Sequence, residues 1–504
     1  MEIKSTDLSS LFEKALSSLE TEEKKQDFDQ TGYVIGVGDT HCKVHGLTGV
    51  VYGELVRFEG GNKGIVLDLA EDHVTVFLLD THIPVSESEV VKRTGDVFRS
   101  PVGEGVVGRV INAVGSPIDG LGDLGEVELR PMEVAIPGII ERSPIDESLE
   151  TGISAIDALV PIGKGQRELL IGNRSTGKTS IALDTILHQK GKNVRCIYVS
   201  IGQRQASLAR IVRLLKENGA LDYTAVVSAD ASESALNRYL APYVATTLGE
   251  YWRDQNQDVL IVYDDLTNHA IAYREISLLM RRPPGREAYP GDVFYLHSRL
   301  LERSGKLAHS GSLTALPIVQ VQGNDITAYI PTNLISITDG QIFLDTKLFN
   351  AGIRPAVNVE LSVSRVGGAA QTKAMKQVTR ALRLELAQYN ELLSFAQFGT
   401  ELDPISQRKL ARGAIIVELL KQQEHNTYSF VEQVVRLFLF KEGFLDTREL
   451  SEVQEFARQF VSYVQSVYPE IFKSIENEQE MSKEVMQKLR EYAQEFGKIF
   501  KPQS

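Results

Sequence analysis

Gly172-Asn173-Arg174-Ser175-Thr176-Gly177-Lys178-Thr179 fits the pattern G-x-x-x-x-G-K-[ST], and its reading decides the fold. The β-like run Glu168–Ile171 enters it. Thr179–Gln189 leaves it, with Ile181, Ala182, Ile186 and Leu187 recurring at helical spacing. In that order, strand, glycine loop and helix make a phosphate cradle. The glycines let backbone N–H groups turn toward a polyphosphate, and the helix N-terminus favours an anion. Lys178 is suited to neutralise phosphate oxygens, and the Thr179 hydroxyl to ligate Mg²⁺. A glycine turn without a ligand leaves the flanking strand and helix unexplained.

A second strand-like run, Val259-Leu260-Ile261-Val262-Tyr263, ends in Asp264-Asp265. An Asp at a strand end completes such a site by holding the Mg²⁺ shell through water. Asp264 takes that role, and Asp265 is expected to cap the helix that follows. Hydrolysis also needs a group that orients or deprotonates water, usually a carboxylate on a neighbouring strand. The run Ile197–Gly202 ends instead in Gln203, whose amide can hydrogen-bond water but cannot take its proton. Because some GTPases orient water with Gln, this residue alone leaves hydrolysis open.

Outward from the loop, the sequence changes texture. Residues 96–370 alternate apolar runs (Cys196–Ser200, Ala225–Ser228, Thr314–Val319) with helical patterns, as βα units around a parallel sheet do. Residues 27–95 hold short runs (Tyr33–Val37, Val50–Phe58, Gly64–Leu69, His73–Leu79) punctuated by turns such as Gly60-Gly61-Asn62, an antiparallel barrel or sandwich. His41, His45, His73 and His82 are scattered there and read as ordinary surface or core residues. From 371 to 504 the stripes are helical, such as Met375, Val378, Leu382, Leu386, Tyr389 and Leu393, then Met481, Val485, Leu489, Tyr492 and Phe496. Within residues 1–26, Leu8, Leu11, Phe12, Ala15, Leu16 and Leu19 form an apolar stripe followed by a charged tether. That stripe either packs on its own domain or docks onto a partner subunit.

The 504 residues are 42% hydrophobic and 24% charged, which excludes collagenous and disordered classes. Acidic residues outnumber basic ones 67 to 54, a net charge of −13 that argues against a nucleic-acid binder. No apolar run is long enough to span a bilayer, so direct membrane insertion is not expected. Cys42 and Cys196 lack CxxC spacing, which disfavours a disulfide scaffold or thiolate zinc site and suits a reducing compartment. The N-terminus has neither a signal-peptide nor a transit-peptide pattern.

The residues around the loop carry a resemblance. Gly152-Ile153 with Ala155-Ile156-Asp157, Pro161 to Glu168, Tyr263–Leu266, Arg281 to Asp292, Gly352-Ile353-Arg354-Pro355 and Pro355 to Arg365 together resemble the rotary (F-type) ATP synthase alpha subunit, from about residue 5 to the end. The resemblance implies an α/β P-loop (RecA-like) domain flanked by an N-terminal β-barrel and a C-terminal helical domain. It also implies an ATP/ADP and Mg²⁺ site bound by residues 172–179 and Gln203, with Arg354, Pro355 and Gln422 around the adenine, that does not hydrolyse. Arg365, with Ser362 shaping the same edge, is then an arginine finger for a neighbouring beta subunit. A guanidinium suits that task, being always charged and able to span two phosphate oxygens.

Further implied are an alternating ring with beta subunits, a central gamma shaft lined by the Pro283–Asp292 loop, and a delta/b-type peripheral stalk gripped by the N-terminal stripe. The place implied is the cytoplasmic face of a bacterial plasma membrane, or the stromal face of a plastid thylakoid, in an ion-translocating complex. Four residues depart from the usual pattern: Asn173, Ser175, Gln320 and Glu424. An export-apparatus motor would need a carboxylate at position 203. A termination-type helicase would need a basic front domain. A plain nucleotide-binding scaffold would leave Arg365 and the Pro283–Asp292 loop without purpose.

Overall fold

The computed structural model describes residues 30–397 and 403–501. The stripe and tether expected at 1–26 lie outside the described residues.

The first unit is a closed barrel of β1 (Thr31–Val37), β2 (His41–Gly46), β3 (Glu54–Phe58), β4 (Lys63–Leu69), β5 (Val74–Leu78) and β6 (Val90–Val97), in the order β1-β2-β5-β4-β3-β6 with β6 paired back to β1. All pairs are antiparallel. Of the two expected arrangements the barrel is the one observed, and closure leaves no unpaired edge. Val34, Val44, Val56, Val66, Val76 and Val91 point inward. Phe77, also fully buried, faces the other way and joins the core of the next domain, which is why β5 is apolar on both faces. An ion pair, Arg282 Nη2 to Asp68 Oδ1 at 3.3 Å, crosses the same seam.

The central domain opens with the ribbon of β7 (Arg99–Val102) and β9 (Glu128–Pro131). Its main sheet runs β17 (Val363–Ser364), β16 (Gly340–Leu344), β10 (Leu169–Gly172), β15 (Ser312–Gln320), β13 (Asp258–Asp264), β11 (Val194–Gln203), β12 (Thr224–Asp230), β8 (Val110–Asn112), with β14 (Gly305–Lys306) beside β15. Every neighbour pair from β16 to β8 is parallel. Helices cover both faces, so β11, β12, β13 and β15 are apolar almost throughout rather than alternating. The helices that matter for the site are α1 (Ser154–Leu159), α2 (Lys178–Leu187), α3 (Gln205–Glu217), α4 (Ala235–Asp254) and α5 (Leu266–Leu279). The five strands expected from apolar runs are present; four extend beyond the expected ends, while β10 is shifted by one, gaining Gly172 and leaving Glu168 outside. β8, β16 and β17 were not foreseen; each has five residues or fewer, too short for a periodic signal.

Among the described residues, helices alone follow Gln371, including α6 (Lys373–Thr379), α7 (Leu382–Gln397), α8 (Pro404–Leu420), α9 (Phe430–Lys441) and α10 (Lys483–Ile499). Four of them, α6, α8, α9 and α10, start on hydrogen-bonding caps: Thr372, Asp403, Ser429 in a capping box with Glu432, and Ser482. The stripe read as continuous from Met375 to Leu393 is split between α6 and α7, and Met375, Val378, Leu382 and Leu386 are all buried. One apolar core runs unbroken from the sheet (Leu170, Leu260) into these helices (Phe438, Phe456, Leu489).

Candidate functional site

The glycine loop joins β10 to α2. Ser175 and Gly177 adopt positive φ (61° and 95°), a conformation without steric cost only at the glycine. Arg174 and Ser175 stand exposed at the loop tip, while Thr176 Oγ1 donates to Asn173 O at 2.8 Å. Asn173 ties the loop sideways. Its Nδ2 donates to Thr346 Oγ1 at 2.8 Å, and its Oδ1 accepts from Asn324 N at 3.0 Å. Lys178 is buried and folds back over the loop, donating to Gly172 O at 2.9 Å and Asn173 O at 2.5 Å. Burial lowers its ammonium pKa to about 8, against the attraction of Asp265 and Asp264. A cation held in that way, partly desolvated and satisfied only by loop carbonyls, is primed for an anion.

Asp264, at the end of β13, gathers three donors. Thr179 Oγ1 reaches its Oδ2 at 2.7 Å, Tyr198 Oη the same oxygen at 2.8 Å, and Gln203 Nε2 its Oδ1 at 3.2 Å. Burial raises the pKa of this carboxyl, and the donors oppose the rise. Asp265 caps α5, accepting from Asn268 N at 2.8 Å, and takes a further bond from Gln320 Nε2 at 2.6 Å. Burial first, and the Asp264 charge second, push it up to about 7. A hydroxyl and a carboxylate side by side at a strand end form the hard oxygen set that Mg²⁺ prefers.

Beside the loop lies a cavity lined by Ile153, Thr176, Ile181, Arg354, Pro355 and Gln422. The Arg354 guanidinium stacks over the Phe349 ring at 4.3 Å. The Gln422 amide is engaged with backbone: Nε2 donates to Gly152 O (2.7 Å) and Asn426 O (2.6 Å), Oε1 accepts from Ser154 N (3.1 Å), and its own N–H donates to Arg354 O (2.8 Å). Glu424 accepts from Ser180 Oγ at 3.1 Å.

Three family models match the protein in order. They are the beta-barrel domain of the ATP synthase alpha/beta family at 28–95, its nucleotide-binding domain at 152–364, and the C terminal domain of the ATP synthase alpha/beta chain at 371–496. The protein is similar to the ATP synthase subunit alpha of Aquifex aeolicus (strain VF5), 50% identical over 498 residues, 97% of this chain and 99% of the relative. It is also similar to that of Clostridium kluyveri (strain NBRC 12016), 51% identical over 503 residues and 99% of each. The chain belongs to the ATP synthase alpha-subunit family.

In this alpha-type chain, Arg365 lies apart from the loop. It follows β17, its N–H donates to Asp339 O at 2.8 Å, and its exposed side chain makes one long contact, Nη2 to Ile335 O at 3.4 Å. Among the described residues no carboxylate lies within ion-pairing distance of it. Ser362 is fully buried, and its hydroxyl donates to Asn358 O at 2.6 Å and accepts from Phe343 N at 2.9 Å. The resemblance implies that Ser362 shapes the same edge as Arg365; in the structure its hydroxyl points inward and ties the segment leading to Arg365 to Asn358 and Phe343. Sequence reasoning missed Tyr198, which hides inside an apolar strand, and Arg383, whose Nη2 bonds Val359 O and Ser362 O at 3.0 and 2.6 Å.

Proposed function

We propose that this chain binds ATP or ADP with Mg²⁺ in a site that does not hydrolyse it, and acts in catalysis by lending Arg365 to the active site of a neighbouring beta subunit. The observation that carries the first half is Gln203. It stands where a carboxylate is wanted, and its amide N–H is directed at Asp264, so it is engaged as a donor and offers no base. Lys178 and the loop N–H groups hold the phosphates, and Ile153, Arg354 and Pro355 the adenine. Gln422 braces that pocket from the helical domain. The Thr179 hydroxyl would ligate a Mg²⁺ ion and Asp264 would hold a water of its shell, and the ion would supply neutralisation of phosphate charge. The second half is supported by an exposed guanidinium that makes no ion pair among the described residues. Such a group can contribute about 10³–10⁵ in rate when it reaches a transferring phosphoryl group. Ser362 is then a positioning residue.

On this reading beta subunits flank the chain in a ring, the Pro283–Asp292 loop faces a gamma shaft, and residues 1–26 meet a delta/b-type stalk. The domains divide near 27, 96 and 371. The complex serves ion-coupled ATP synthesis and hydrolysis at the cytoplasmic face of a bacterial plasma membrane. No helix among the described residues is long and apolar enough to cross a membrane, so association is through partners. The test is ATP turnover of the purified chain alone and mixed with its beta partner. Turnover is expected only in the mixture, and Arg365→Ala abolishes it there. Substantial turnover by the chain alone overturns the reading.

A further inference from the structure

Strands β16 and β17 pair antiparallel through two residue pairs, Gly340–Ser364 and Gln341–Val363. Arg365 follows directly on β17. The connection between the two strands, residues 345–362, therefore decides how the edge bearing Arg365 sits. Apolar burial does not hold its last stretch, since Leu361 and Val363 are 42% and 41% exposed. Hydrogen bonds hold it instead, with Asn358 at their centre.

Asn358 is half-buried. Its Oδ1 accepts from Glu360 N at 3.0 Å and Leu361 N at 3.1 Å. Its carbonyl accepts from Ser362 N at 3.0 Å and Ser362 Oγ at 2.6 Å. One residue thus folds the stretch that follows it into a turn. Its backbone N–H donates to Phe343 O at 2.8 Å. The side-chain Nδ2 reaches further back along the chain and donates to Asp345 Oδ2 at 3.3 Å.

Asp345 divides its carboxylate between two sides. Oδ1 caps the short helix Thr346–Asn350 by accepting from Lys347 N at 2.7 Å, and it takes Asn324 Nδ2 at 3.3 Å. Asn324 in turn donates its N–H to Asn173 Oδ1, in the glycine loop, at 3.0 Å. Oδ2 accepts from Asn358 and, among the described residues, from nothing else. A continuous set of hydrogen bonds accordingly runs from the glycine loop to the turn ahead of Arg365, with Asp345 at its junction.

We infer that Asp345 and Asn358 are a positioning pair for Arg365: the bond between them fastens the turn ahead of the finger to the wall of this chain's own nucleotide site. This rests on the reading of Arg365 as a residue acting in trans. Were Asp345 only a helix cap and Asn358 only a turn former, the bond joining them would be immaterial to turnover.

The test exchanges donor and acceptor in the complex assembled with the beta partner. Arg365→Ala is measured first; unchanged turnover ends the trans reading, and this inference with it. With that reading upheld, Asp345→Asn keeps an oxygen for Lys347 and Asn324 but sets an amide N–H₂ against that of Asn358. Asn358→Asp keeps the turn and sets two carboxylates face to face. Each is expected to lower kcat about tenfold at unchanged KM, with the nucleotide affinity of this chain's own site at its wild-type value. Combined, the two substitutions put a donor opposite an acceptor again, and kcat returns to within about twofold of wild type. Wild-type kcat in both single variants, a loss carried by KM, or a double variant no faster than the slower single one overturns the inference while leaving the trans reading standing. Should a single variant fail to assemble, the double variant decides. Its assembly with near-wild-type kcat supports the inference, and failed assembly or a kcat loss of about tenfold overturns it.

Discussion

Tyr198 donates its phenol to Asp264 Oδ2 at 2.8 Å, from the interior of β11 to the end of β13. The register of the two strands makes this possible, since Tyr198 pairs with Val262 and Ser200 with Asp264. The bond helps keep Asp264 ionised against its burial. Tyr198→Phe removes one charge-assisted bond, a loss of about 1.5–3 kcal/mol. The variant is expected to bind nucleotide about tenfold more weakly in the presence of Mg²⁺ and nearly normally in EDTA. Titration of a fluorescent nucleotide under both conditions checks it; equal weakening in both would show that the phenol serves only packing.

A pH dependence follows from His269. It is fully buried between Tyr239 and His297, with ring centroids 5.8 and 5.4 Å away. Its Nε2 meets Tyr239 O at 3.1 Å. Burial, and secondarily the Arg299 charge, lower its pKa to about 4, and His297 is lowered by burial and by His269. Below pH 6.5 the unfolded protein therefore takes up protons that the native one refuses. Stability falls as pH drops from 6.5 toward 4 and the His269 contribution levels off below that, a total of about 3 kcal/mol for this one residue. Denaturant midpoints between pH 7 and 4.5 are expected to fall less steeply in His269→Gln than in wild type.

These two residues mark where the sequence stopped being legible. The glycine loop, the Asp264 strand end and the apolar strands are local patterns, readable because each is written in consecutive residues. Asp265 as a helix cap was legible for the same reason. Tyr198 carries an ordinary strand residue type, and its role exists only through the pairing of strands far apart in the sequence. Ser362 shows the converse. Its proximity to Arg365 in sequence suggested a shared surface, but Asn358 and Phe343 draw its hydroxyl inside. Gln422 was placed near the adenine pocket from resemblance, yet its bonds to Gly152 and Ser154 could not be read without the fold.

Arg303 and Glu250 form an ion pair inside the central domain, both nearly inaccessible to solvent. Arg303 Nε donates to Glu250 Oε1 at 2.9 Å, Nη1 to Met132 O at 2.9 Å and Nη2 to Thr247 Oγ1 at 3.1 Å. Removing one partner strands the other charge in the core. Arg303→Ala is expected to cost about 3–5 kcal/mol, and Arg303→Met combined with Glu250→Leu much less. Thermal unfolding of the two variants side by side decides it; a double variant as unstable as the single one would contradict the account.

Gln422 is one of the points where the helical domain grips the nucleotide-binding domain, beside the bonds of Gln433 to Asp157 and of His425 to Asp184. Its side chain bonds Gly152 and Ser154 at the entrance to α1, and its backbone holds the Arg354 carbonyl. Those partners frame the cavity beside the loop, so the amide acts on a nucleotide through the wall it fastens. Gln422→Ala removes two inter-domain bonds, each worth about 0.5–1.5 kcal/mol, while Gln422→Glu keeps the acceptor for Ser154 but loses the donor to Gly152. Nucleotide affinity is expected to fall about threefold to tenfold in the alanine variant. Amide exchange at residues 152–156 should rise in both variants, since the anchor of that segment is weakened whether or not nucleotide is present. An affinity loss without faster exchange there would mean that the amide touches the base directly, and the bracing role would fall.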